Sequence, residues 1–161
     1  MLARNSKDLH RLRHSVGTVR RLSDGVVKLG PFKIGLDAVL AAVPWAGLAY
    51  SLGAGGLLMA QGIRARAAPP VLAKMAAFLI ADSMIDVPIP FAPALVDVFF
   101  TGHAWAADAL LKHMDETIYY DGTREEAEAD EGFRDVLRQM ADERKAGGGK
   151  ARKKRIVYLR P

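Results

Sequence analysis

The chain has 161 residues, a net charge of +5 and a pI near 9.6, a length that holds one compact unit with tails. Cysteine is absent, which excludes a disulfide framework, a thiolate nucleophile and a thiolate metal site. The composition is 50% hydrophobic and 25% charged, and the two classes separate into an apolar middle and charged ends, with an excess of base that suits an anionic partner.

In chain order, the first 30 residues keep meeting Arg, Lys and Asp, so no secretory signal peptide is expected. Residues 9–22 space Leu9, Leu12, Val16, Val19 and Leu22 by three or four, the signature of one helical face. The other positions carry His10, Arg11, Arg13, His14, Arg20 and Arg21, which makes a basic amphipathic helix. Such a helix lies in anionic headgroups or packs on the protein's own core. His10 and His14 stand one turn apart with arginines around them and no acid in reach, so no metal is expected there.

Everything between Asp37 and Arg64 is uncharged, which is enough apolar chain to cross a bilayer. The run is broken at Pro44, and Ala49, Gly53, Gly56 and Ala60 give a small-residue face for close helix approach. Arg64, Arg66, Pro69 and Pro70 predict a turn, followed by a helix over 71–81 that is apolar apart from Lys74. A Pro- and Asp-rich interruption precedes a further helix over 94–113 holding Asp97, His103 and Asp108. Beyond Tyr120, residues 121–143 carry nine acids and a thin stripe of Phe133, Val136, Leu137 and Met140, which predicts a solvated helix. Glycines 147–149 then hinge to a basic end, KARKKRIVYLRP, expected to be weakly ordered. Trp45, Trp105, Tyr119 and Tyr120 are candidate membrane-interface anchors.

The two apolar stretches share a frame. Asp37, Pro44 and Gly53 in the first match Asp86, Pro93 and Gly102 in the second, both reading D-x6-P-x8-G. Internal repeats of Pro- or Gly-broken hydrophobic segments build many transport folds.

On these residues the chain resembles the domain-of-unknown-function 4112 family of small predicted membrane proteins. Gly35, Leu36, Asp37, Pro44 and Gly47 carry its first motif, Met75 with Asp82 or Asp86 its second, and Pro93 with Asp97 its third, over roughly residues 28–113. Leu48 and Val96 depart from the family's two GD pairs. The resemblance implies a bacterial-type integral membrane protein and no known activity.

The expected fold is all-α, a multi-pass helical membrane protein of two related Pro/Gly-broken helical hairpin units. It divides into a basic amphipathic leader helix (1–27), a membrane domain with the internal repeat (28–118) and a charged cytoplasmic tail (119–161). Asp37, Asp82, Asp86 and Asp97, with Lys74 and His103, form a candidate intramembrane polar site; Pro44 and Pro93 mark helix breaks. An ionisable group at the bilayer centre costs at least about 2.5–3.5 kcal/mol and needs a partner or a water-filled cavity. The competing reading makes Asp37 a helix cap and puts Asp82 and Asp86 in a polar turn.

No catalytic signature, cofactor or metal is expected, so the leading function is a small self-associating membrane scaffold rather than an enzyme. Its partners are membrane lipids, with anionic headgroups at the basic ends and a second copy of the chain; nucleic acid is not expected. The positive-inside bias puts both termini on the cytoplasmic side of a bacterial inner membrane. The alternatives are an oligomeric proton- or cation-coupled permease or channel using Asp86 and Asp97, and a soluble helical protein whose apolar segment is a core helix.

Overall fold

The computed structural model describes residues 2–23, 27–29, 32–34, 46–84, 101–146 and 154–161. Helix α1 (Ser6–Ser23) starts where the Asp8 N–H donates to Asn5 Oδ1 at 2.8 Å, a side-chain cap on an otherwise orphan donor. Asp8 in the first turn and Arg20 and Arg21 in the last complement the helix dipole. The apolar face read from the spacing is the face that packs: Leu12, Val16 and Val19 are buried, with Leu9 against them. Of its two possible seats, α1 therefore takes the protein's own core, and it is part of the bundle rather than a separate leader. After it, β1 (Val27–Leu29) and β2 (Phe32–Ile34) form an antiparallel pair.

Helices α2 (Ala46–Arg64), α3 (Pro69–Met84) and α4 (Thr101–Asp115) complete an antiparallel four-helix bundle with α1. The Ala3 N–H donates to the Arg64 carbonyl at 2.9 Å, which sets the start of α1 beside the end of α2. The Ala68 N–H reaches His113 at 3.2 Å, so the end of α4 meets the α2–α3 turn. One end of the bundle thus gathers the starts of α1 and α3 and the ends of α2 and α4; we call it the cap end. Val16, Leu58, Met75 and Leu110, one from each helix and all fully enclosed, fill the centre. Alanines 104, 106 and 107 keep α4 thin where its neighbours press against it, so α4 forms the spine of the bundle.

The α2–α3 turn is where the predicted one falls, and its geometry is specific. Ala67 N–H donates to Gly62 O and Arg66 N–H to Ile63 O, both at 2.9 Å, the paired bonds of a Schellman helix end. Arg66 holds the left-handed position at φ 53° where glycine is usual. What holds it there is its guanidinium, which donates to Tyr158 O at 2.7 Å and to Leu159 O at 3.0 Å. Upstream, α2 and α3 meet closely at Gly62, where an added Cβ would lie 2.8 Å from a Leu72 methyl.

Beyond α4 the structure departs from the expected all-α fold and weakly ordered chain end, while the acidic segment between is solvated as expected, with no buried residue over Glu131–Ala146. β3 (Thr117–Tyr120) pairs in parallel with β4 (Arg155–Tyr158), in register from Thr117↔Arg155 to Tyr120↔Tyr158. β-branched and aromatic residues line both strands, which favours pairing over a helix or a loose tail. Val157 and Leu159 are buried in the same core as the bundle, and the Tyr119 hydroxyl donates to Ala65 O at 3.0 Å. The chain end is therefore structural. Between the strands, the expected acidic helix is two. Helix α5 (Arg124–Ala129) has a Thr123–Glu126 capping box, and α6 (Glu131–Ala146) follows. Asp130 makes the break by ending α5 and accepting the Phe133 N–H at 3.0 Å to cap α6.

Among the described residues no helix is long and apolar enough to cross a membrane. They are mostly helical, the coarser part of the expected fold. The helix breaks Pro44 and Pro93 lie outside them, as do Asp37, Asp86 and Asp97. Of the repeat's described landmarks, Gly53 is exposed on α2 and Gly102 is buried in α4.

Candidate functional site

The described members of the expected polar cluster do not form one group in the fold. Asp82 belongs to the last turn of α3. His103 is buried in the first turn of α4, its Nε2 3.6 Å from where a Cβ on Gly55 of α2 would sit. Lys74 is near the opposite end, level with Ala109 to His113 of α4, six or more residues and about 9 Å along the helix from His103. Lys74 and His103 are not neighbours. Lys74 instead joins a basic cluster at the cap end.

That cluster lines a pocket of about 600 Å³ between α3, the end of α4 and the start of β4. Lys74 comes from α3, Lys112 and His113 from the last turn of α4, and Lys154 and Arg155 from the returning chain end. Glu116 is the one carboxylate in the lining, and Ala68, Pro70, Val71 and Ala109 supply an apolar wall. The convergence follows from the fold: the Schellman turn aims α3 alongside α4, and the Arg66 bonds to Tyr158 and Leu159 hold β4 against both.

The other acids of α4 face away from the pocket. Asp108 pairs with Arg20 of α1 at 2.5 Å and Asp115 pairs with Arg13. These pairs are half exposed, so each contributes at most about 1 kcal/mol; their larger consequence is that α4 turns its acids to α1 and Lys112 to α3. Lys74 lies 5.5 Å from the Phe78 ring centroid, and among the described residues neither Lys74, Lys112 nor Lys154 is paired with a carboxylate.

His113 is fixed in orientation, and its neutral ring in one tautomer. A backbone N–H can only donate, so the Ala68 bond makes Nε2 the acceptor and leaves the proton on Nδ1. Burial, then the charge of Arg155, hold its pKa below the ordinary imidazole value, against an opposing pull from Glu116. Thr117, one turn on, donates its hydroxyl to the His113 carbonyl at 2.7 Å. Arg155 spends Nη1 on the Arg66 carbonyl at 2.8 Å. On β3, burial raises the Tyr119 phenol, and its hydroxyl is committed to Ala65; Tyr119 is a structural tie at the cap.

A family model, domain of unknown function DUF4112, matches residues 12–114. The chain belongs to this family. The DUF4112 match starts inside α1, earlier than the motif resemblance, and ends at the last turn of α4, so it covers all of the bundle but the first turns of α1. Lys154 and Arg155 lie beyond it. No curated protein and no solved structure matches the chain.

Sequence reasoning singled out only Lys74 of this pocket. Lys112 and His113 fall at the end of the helix expected over 94–113, where no local feature marks them, and Lys154 and Arg155 fall in the basic end expected to be weakly ordered. The missing signal was the parallel β3–β4 pairing, whose strands are separated by two helices and leave no local periodicity to find.

Proposed function

We propose that this DUF4112 protein is a small self-associating scaffold of the bacterial cytoplasmic membrane, non-enzymatic, with its charged cap in the cytoplasmic headgroup layer. The observation that carries this is the outward face of α2 and α3. Leu52 is 64% exposed, Ile63 54% and Ile80 56%, with Leu57 also exposed, and Trp105 of α4 is 51% exposed beside Phe78. Fully burying such a side chain is worth about 1.5–3 kcal/mol. Several on neighbouring helices mark a surface meant to be covered.

The charges argue for how it is covered. The outer side of α1 carries His10, Arg11, Arg13, His14, Arg20 and Arg21 along its whole length. A bundle standing across the bilayer would draw some of these into hydrocarbon at about 2.5–3.5 kcal/mol or more each. A bundle lying along one leaflet keeps them in water or headgroups while α2 and α3 meet acyl chains. The in-leaflet seat therefore fits the described residues better than a multi-pass one. Self-association uses Gly53, Gly56 and Ala60, which are exposed on α2; an added Cβ at either glycine meets nothing within 4 Å, so a second helix has room to approach.

Fractionation tests the reading. The full chain should stay with membranes through a carbonate wash and leave only with detergent, while a variant carrying Leu52→Asp and Leu57→Asp should appear in the wash. Release of the unaltered chain by carbonate alone would overturn it.

A further inference from the structure

The cap-end pocket has a composition that neither core packing nor the scaffold reading accounts for. Four cations from three parts of the chain, Lys74, Lys112, Lys154 and Arg155, share it with the single carboxylate of Glu116. Like charges gathered around one cavity repel, and the chain bears that cost although α4 has acids that it turns elsewhere. An anion in the cavity reverses the sign of the interaction.

The donors suit a phosphate oxygen in particular. Arg155 keeps Nε and Nη2 after its bond to Arg66 O, a fork that matches two oxygens of one tetrahedral anion. His113, with Nε2 engaged by Ala68, has its proton on Nδ1. The lysines supply mobile point charges. About 600 Å³ is room for more than an inorganic anion, and the wall formed by Pro70, Val71 and Ala109 is apolar. An anionic head with an apolar continuation fits both halves of that lining.

We propose that this pocket binds a phosphate group borne on a glycerol headgroup, that of an anionic phospholipid such as phosphatidylglycerol, with Lys74, Lys112, Lys154 and Arg155 as its cationic donors. The phosphate chemistry stands on the pocket alone; the lipid source rests on the membrane reading above. Occupancy ties α3, α4 and β4 together through the ligand, so the headgroup also fastens the returning chain end to the family's bundle.

The test titrates the full chain in an uncharged detergent with short-chain phosphatidylglycerol, with inorganic phosphate and with a single-stranded RNA oligomer, following the His113 imidazole resonance. The comparison variant carries Lys74→Gln and Lys112→Gln, two exposed side chains without ion pairs among the described residues, so the fold should persist. Saturable binding of the short-chain lipid, weakened about tenfold or more in the variant and by added salt, is the expected result. Inorganic phosphate should bind the same site more weakly. Equal affinity for the two would overturn the lipid source and leave a free-phosphate site. Tighter, lysine-dependent binding of RNA would overturn the lipid assignment, and unchanged lipid affinity in the variant would overturn the site. The Leu52→Asp, Leu57→Asp variant separates the two proposals: loss of membrane residence with intact short-chain lipid binding supports the pocket by itself.

Discussion

Arg66 is the residue on which the cap depends. A non-glycine side chain in the left-handed region costs about 1 kcal/mol or more, and here its two bonds to Tyr158 and Leu159 offset that cost. Arg66→Ala keeps the strain and loses both charge-assisted bonds, so it should destabilise the fold by about 2–3 kcal/mol. Arg66→Gly loses the bonds but relieves the strain, and should cost about 1 kcal/mol less than alanine. Urea unfolding of the two variants decides this; an alanine variant as stable as the glycine one would contradict the account. His113 is the second such residue. Its pKa is lowered in the fold, so below the ordinary value of about 6.5 the unfolded chain binds the extra proton more readily. The stability it contributes is complete above that value and is lost as the pH falls through the window beneath it. Replacing His113 with glutamine should flatten the unfolding midpoint between about pH 7.5 and 5.5 relative to the unaltered chain; parallel profiles would show that His113 is not titrating there.

At the scale of elements, β4 is the surprise and the clearest point of test. Leu159 is 1% exposed in the common core, so Leu159→Ala should cost about 2–5 kcal/mol, as much as Leu58→Ala in α2. A loss near zero, measured by the same urea melts, would return residues 155–159 to a loose tail. On α2, Gly56→Leu should not lower stability, because an added Cβ meets nothing within 4 Å and leucine is a better helix former than glycine by about 0.5–1 kcal/mol, yet it should reduce cross-linking between copies. The helices themselves were legible because their signals are local: the spacing of Leu12, Val16 and Val19 identified the packed face of α1, and Arg64, Arg66 and the two prolines identified the α2–α3 turn. The strand pair was not, since Thr117–Tyr120 and Arg155–Tyr158 become a sheet only when tertiary contacts bring distant segments together. Asp130 was equally hard to read: one acid among nine, it becomes a helix break because Tyr120 donates to its Oδ2 at 3.1 Å while Oδ1 caps α6.

At the scale of the molecule, two surfaces of opposite character meet on one bundle. α1 presents cations, α2 and α3 present Leu52, Leu57, Ile63 and Ile80, and the cap end adds a basic pocket lined by α3, the end of α4 and the start of β4. The repeat frame pointed to membrane carboxylates, whereas the described residues point to amphipathic surfaces, because the aspartates of the frame, Asp37 and Asp86, lie outside them. The absence of cysteine makes a direct depth measurement clean. Single spin labels at Leu52→Cys, Leu57→Cys, Ile80→Cys, Arg11→Cys and Arg21→Cys, in vesicles containing phosphatidylglycerol, report exposure to oxygen against a water-soluble nickel chelate. The account predicts that the α2 and α3 labels are reached by oxygen and shielded from nickel, and that both α1 labels show the reverse; equal nickel access at all five positions would contradict it.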